Sequence, residues 1–146
     1  MTERKPRDST WLNANLRRGA FHRWIGVEVL AVDHAAGSIE MRVPWRDEFT
    51  GAPNPPSAHG GMLSAFVDVT AFFLVGGVTG QLARTVDLRT DFHSPATPGD
   101  LILTGRVIRA GGRLVTADVQ ILGADRGLTA TGRVVMTMFR LATEQP

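Results

Sequence analysis

Two hydrophobic patterns divide the chain. From about Ala58 to Gly76 apolar residues fall on nearly every helical face, while from Leu82 to Leu141 they recur at every second position in four separate runs. The first pattern predicts one long helix buried all round. The second predicts four strands, Leu82 to Phe92, Leu101 to Arg109, Leu114 to Leu122 and Leu128 to Leu141. In the first of these, Leu82, Val86, Leu88 and Phe92 alternate with Thr85, Asp87, Arg89 and Asp91. "SPATPGD" breaks the chain after it, and Gly111-Gly112 and the stretch from Gly123 to Gly127 suit hairpin turns.

Upstream of the long helix the signals are shorter. Ser9 or Thr10 suits the N-cap of a short helix ending near Gly19 or Gly26. Val27, Val29 and Ala31, then Ile39, Met41 and Val43, form the apolar faces of a hairpin turning at "DHAAG". "DEFTGAPNPPSA" reads as a loop and holds three of the eight prolines. Residues 1–8 read as a disordered tail and residues 9–146 as one domain. The order predicts an α+β fold in which a mostly antiparallel sheet of about six strands curls around one apolar helix. Strands such as "GLTATGRVVMTMFRL", apolar on both faces, predict that part of the sheet meets a second subunit.

Composition removes several alternatives. The 146 residues are 43% hydrophobic and 21% charged, as expected of a packed domain. The longest apolar run, Met62 to Val78, is broken by Ser64, Asp68, Thr70 and two glycines, so no membrane span is expected. The N-terminus lacks the apolar core of a signal peptide, which predicts a cytoplasmic protein. Net charge is only +2, and the fifteen arginines and one lysine are scattered apart from a short N-terminal cluster, so no nucleic-acid-binding face is expected. The absence of cysteine excludes disulfides, thiolate zinc sites and cysteine nucleophiles. His22, His34, His59 and His93 lack any tight metal-ligand spacing.

The chemistry concentrates in "HGGMLSAFVDVTAF", His59 to Phe72. Asp68 is the only acidic residue between Glu48 and Asp87 and sits mid-helix among Phe66, Val67, Val69, Ala71 and Phe72. A carboxylate there is costly unless something uses or satisfies it. It is either a base whose pKa burial would raise, or a structural carboxylate paired with an amide or arginine. Gly60 and Gly61 either ease a loop-to-helix junction or offer the free N–H groups of a first helical turn to an anion. His59 is either a polar residue beside a helix start or an orienting group.

Together, His59-Gly60-Gly61, Asp68 nine positions after the histidine, "TVDLRTDFHSPATPGD", "GRVIRAGGRLVTADVQI" and "GLTATGRVVMTMFRL" resemble the hotdog-fold acyl-CoA thioesterases of the phenylacetate-pathway (PaaI-like) group, over roughly residues 20–141. The resemblance implies a hotdog fold and a homodimer, assembled further into a tetramer, acting on an acyl-CoA without metal or redox cofactor. It implies that Asp68 of one subunit serves as base or nucleophile on a thioester whose oxygen the Gly60 amide of the other subunit holds. His59 would orient substrate or loop, and Thr85 would help hold the attacking water. Many relatives carry Asn or Gln six residues before the histidine. Here Pro53 stands there and Asn54 follows, so either Asn54 takes the role or no amide does. Gly61, His93, Ser94, Arg109, Gly112 and Arg113 fall on segments that follow the substrate, the arginines suiting CoA phosphates. The rival reading is a hotdog module that binds acyl-CoA without hydrolysing it. Phe66, Phe72, Phe73, Trp24 and Trp45 would allow an aromatic or medium-length acyl group.

Overall fold

The long helix, α3 (Gly60–Thr79), organises the molecule. In this computed structural model, which describes residues 6–139, ten of its twenty residues are buried, among them Phe66, Val67, Ala71, Leu74 and Val75. It starts two residues later than the apolar pattern suggests, because His59 caps it by accepting from the Gly61 N–H at 2.9 Å. It ends at Gly80, whose φ of 67° only glycine adopts cheaply and whose N–H returns to Gly76 O. Thr70, fully buried, is satisfied by donating to Phe66 O within the helix at 2.7 Å. By length and composition α3 could cross a membrane, but it lies packed beneath the sheet.

That sheet has the order β1 (Glu28–Asp33), β2 (Ser38–Val43), β6 (Leu101–Ala110), β7 (Leu114–Leu122), β8 (Leu128–Phe139), β5 (Leu82–Phe92), antiparallel throughout. The α+β architecture is therefore as the sequence predicts, with all six expected strands present and β5 at one edge. Alternate residues of each strand, such as Met41, Leu103, Val119 and Val134, are buried toward α3. The opposite face carries charge, including a bidentate Arg133–Asp118 pair between β8 and β7.

The upstream region departs from expectation in three places. Asp8, not Ser9 or Thr10, caps the first helix, α1 (Ser9–Leu16), by accepting from the Trp11 N–H at 2.8 Å. Gly19 then separates a second helix, α2 (Ala20–Ile25), which Gly26 ends in the left-handed region at φ 68°. Residues 7 and 8, read as tail, are tied down, since the Arg7 N–H donates to Gly77 O of α3 at 2.8 Å. Residues 1–5 of that tail, and Arg140 and Leu141 of the last expected strand, lie outside the described residues. The proline-rich "loop" is in fact a hairpin of β3 (Thr50–Pro53) and β4 (Pro56–Ala58), in which Pro53 faces Pro56. Prolines are admissible there because each strand has a free edge.

Glycines set the distance between α3 and the sheet. A methyl added at Gly132 of β8 would lie 2.4 Å from Val67 of α3 and 2.9 Å from the Arg89 carbonyl of β5. At Gly105 of β6 it would meet Thr70, Ile39 and Leu74 at 3.0 to 3.3 Å. Gly132→Ala should therefore cost about 1–3 kcal/mol of stability through overpacking. Gly112→Ala, where an added methyl meets nothing within 4 Å, should leave the urea midpoint unchanged.

Candidate functional site

Asp68 lies on α3 opposite β5, half-buried, and Thr85 donates its hydroxyl to Asp68 Oδ1 across 2.5 Å. No arginine or backbone amide satisfies Asp68 among the described residues, and it is not sealed in apolar surroundings. One carboxylate oxygen is engaged by a hydroxyl, and the Thr85 oxygen retains lone pairs that can accept from a water.

A β-bulge in β5 makes this contact possible. Register with β8 runs from Thr85 opposite Met136 to Asp87 opposite Val135, leaving Val86 unpaired and 62% exposed. The alternation read from the sequence, with Val86 on the apolar face, is thus corrected. Before the bulge Ala83 and Thr85 face α3, and beyond it Leu88, Thr90 and Phe92 do, opposite Val134, Gly132 and Ala130 of β8. Without the extra residue, Thr85 and Phe92, an odd number apart, would point to opposite faces of the sheet. Thr90, between them, holds a buried hydroxyl with no partner among the described residues.

At the other end of this surface stands the first turn of α3. The Gly61 amide is taken by His59 Nδ1, so a neutral His59 ring carries its proton on Nε2. His59 also donates its own N–H to Phe49 O at 2.7 Å, which ties the helix start to the end of the preceding loop. The Gly60 N–H, by contrast, has no acceptor among the described residues and remains available at the positive end of the helix dipole. Of the two glycines, only Gly60 can offer an amide to a substrate.

The other sequence-derived candidates fall into separate groups. Asn54 stands exposed at the tip of the β3–β4 hairpin. His93 Nε2 is 2.8 Å from Thr131 Oγ1, and Ser94 donates its hydroxyl to Leu128 O at 2.8 Å, so both direct their polar atoms into β8. Arg109, Gly112 and Arg113 line one groove of about 370 Å³ with Leu114, Thr116 and Val135. Thr116 and Val135 face away from α3, so this groove opens on the opposite side of the sheet from Asp68 and Thr85. Phe66, offered as a pocket residue, is core, packed 5.3 Å from Phe49.

His22 of α2 was not singled out by sequence, since nothing in its neighbourhood forms a motif. Its ring packs edge-on to Phe73 at 5.2 Å. Burial holds its pKa below the ordinary histidine value, and the negative charge of Asp68 partly opposes that shift. Among the described residues, no group of three or more His, Cys, Asp or Glu side chains is arranged to hold a metal ion.

Known proteins share this fold. The model of the thioesterase superfamily matches residues 56–130, from β4 into β8. A crystal structure of a thioesterase-superfamily protein is 35% identical and superposes with a TM-score of 0.83 over 90% of this chain and 98% of that one. A phenylacetic acid degradation-related protein of Ralstonia eutropha JMP134, a candidate thioesterase, is 28% identical with a TM-score of 0.77, over 87% and 98% of the two chains. A candidate esterase of Saccharolobus solfataricus is 25% identical over 105 residues, 71% of this chain and 74% of that protein.

The His22 environment has a consequence for stability. A folded-state pKa below the unfolded value of about 6.5 means that folding releases the proton, so the contribution is complete above that pH and is lost as pH falls. Between pH 7.5 and 5.5 the urea midpoint of the wild type should fall more than that of His22→Leu.

Proposed function

Because the chain belongs to the thioesterase superfamily and is a thioester hydrolase, we propose that its substrate is an acyl-CoA and that its site is completed by a second copy. Asp68 of one protomer acts as base or nucleophile, and the Gly60 amide of the partner holds the thioester oxygen. The observation that carries this reading is the separation of the two groups. Eight residues along one helix are about 12 Å, whereas a base and an oxyanion donor must both lie within about 3 Å of a single reacting carbonyl or its water. One helix therefore supplies halves of two sites, and β5, an unpaired eleven-residue edge, offers the surface through which two copies would join.

In the water route, Asp68 takes a proton from water held by Thr85, and hydroxide adds to the thioester carbon. The oxyanion receives the Gly60 N–H. Collapse breaks the C–S bond, and the proton on Asp68 passes to the departing CoA thiolate. In the covalent route a carboxylate oxygen of Asp68 adds instead, CoA leaves, and water then hydrolyses the anhydride. Both routes need the same two groups, and Thr85 orients the carboxylate in each. The Arg109–Arg113 groove carries two guanidinium groups at a hairpin tip, but it opens on the far side of the sheet from Asp68 and has no part in this site.

Gly60→Pro removes the N–H at a first helical position, where the backbone accepts proline, and Gly60→Ala, which keeps the N–H but also crowds Phe92, controls for the added bulk. Asp68→Asn and Gly60→Pro should each lower kcat with an acyl-CoA, followed by trapping of the released thiol, by at least about 10²-fold. Co-expressed, the two variants should recover about a quarter of wild-type activity, since half the dimers are mixed and each mixed dimer holds one intact site. No recovery would mean that both groups act within one chain, and binding of acyl-CoA by the wild type without turnover would make the protein a binding module.

Thr85→Val, which keeps shape and removes the donor to Asp68, should cost about 10²-fold in kcat through lost orientation. Thr85→Ser should retain most of the activity.

A further inference from the structure

We propose that Phe92 is a specificity-determining residue whose ring forms the wall beside the Gly60 amide and limits the bulk of the acyl group next to the thioester carbonyl. The inference rests on Gly60 being the oxyanion donor. A methyl group built on Gly60 would lie 3.2 Å from Phe92 Cζ and 3.4 Å from Cε1, so the tip of the ring stands directly over that residue. Phe92 is nevertheless 56% exposed. It is thus a large apolar surface facing open space at the one first-turn amide of α3 that remains free for a substrate.

The ring is held there by its neighbours. His93 and Ser94 both donate their backbone N–H groups to Thr129 O, at 2.8 and 3.2 Å, and spend their side chains on Thr131 and Leu128. Their polar atoms are committed to β8, which leaves Phe92 as the side chain at the end of β5 that meets the helix start. The bulge at Val86 keeps it on the α3 face together with Thr85. One strand consequently supplies the orienting hydroxyl at Asp68 and the wall at Gly60.

Geometry then determines what the wall can sense. An oxygen accepting from the Gly60 N–H sits about 2.9 Å from the nitrogen, and the carbonyl carbon lies about 1.2 Å farther along the C=O bond. The first atoms attached to that carbon are therefore within about 5 Å of Gly60, the region the ring tip borders. On the sulfur side of any acyl-CoA those atoms are always the same, the sulfur and the unbranched methylene behind it. Variation lies on the acyl side, where a straight chain passes a flat wall and a carbon branched beside the carbonyl, or an aryl ring, does not.

The test measures kcat/KM for butyryl-, hexanoyl-, isobutyryl- and benzoyl-CoA with wild type, Phe92→Leu and Phe92→Ala. Phe92→Ala should raise the ratio of isobutyryl or benzoyl to butyryl turnover at least about tenfold, with Phe92→Leu between the two. A change that scales all four substrates equally would overturn the proposal, since a merely structural role predicts that result. A second measurement uses Gly60→Ala, which keeps the N–H and adds the methyl. Activity lost in Gly60→Ala should be recovered several-fold in Gly60→Ala/Phe92→Ala, whereas losses that simply multiply would place the ring elsewhere. Full turnover by Gly60→Pro would remove Gly60 as the oxyanion donor and the premise with it. An unchanged acyl ratio in an enzyme that needs that amide would overturn the role of Phe92 alone.

Discussion

Val67 of α3 reaches the sheet at Gly132, at a distance that leaves no room for a single methyl group. Gly105, on the other side of the helix's footprint, allows the same closeness to Thr70 and Leu74. Close approach is what lets one helix seal the inner face of six strands, because packing at interior density leaves the lining side chains in contact on all sides. It also fixes the height of the helix above β5. Thr85 reaches Asp68 at hydrogen-bond distance, and Phe92 meets the backbone of Gly60. A helix raised by one methyl group would weaken both contacts.

The bulge at Val86 is the second constraint, and it depends on the first. A regular strand beneath a helix offers side chains at even spacing, so it cannot serve two points an odd number of residues apart. The extra residue restores the parity and leaves its own side chain in solvent, where an aliphatic group gains nothing by folding. Similar skips occur in β1 at Leu30 and in β6 at Ile108, whose side chains are also exposed. In β5 alone does the skip lie between two residues that touch the candidate site.

Much of this was legible in sequence because the helix and the strands each carry a single strong period. The all-round apolar run of α3 and the glycine turns of the β6–β7 and β7–β8 connections read correctly. The β3–β4 hairpin did not, because three prolines in one short stretch carry the signal of a loop, and only the free edges of a two-stranded ribbon tolerate them. The bulge was invisible for a similar reason. Val86 completes an alternation with Leu88 and Phe92, and no local feature marks it as the residue that drops out of register. His22 and Phe92 were missed because their importance lies in neighbours distant in sequence, Phe73 with Asp68 and Gly60 respectively.

The same physics explains why the segment His59 to Phe72 looks contradictory as a sequence. A helix start offers unpaired N–H groups only within its first turn, and His59 consumes one of them to hold the turn in place, leaving Gly60. A carboxylate can be carried on an apolar helix only where the sheet leaves an opening, and that opening lies beside the strand at the sheet's edge. Two chemical demands thus pull toward two places on one rigid rod, about 12 Å apart. A chain that used both groups on one carbonyl would have to bend the helix that seals its core. In the proposed pairing, doubling the chain about the exposed edge of β5 would remove the conflict without disturbing the core, since each copy would keep its helix straight and lend one end to its partner.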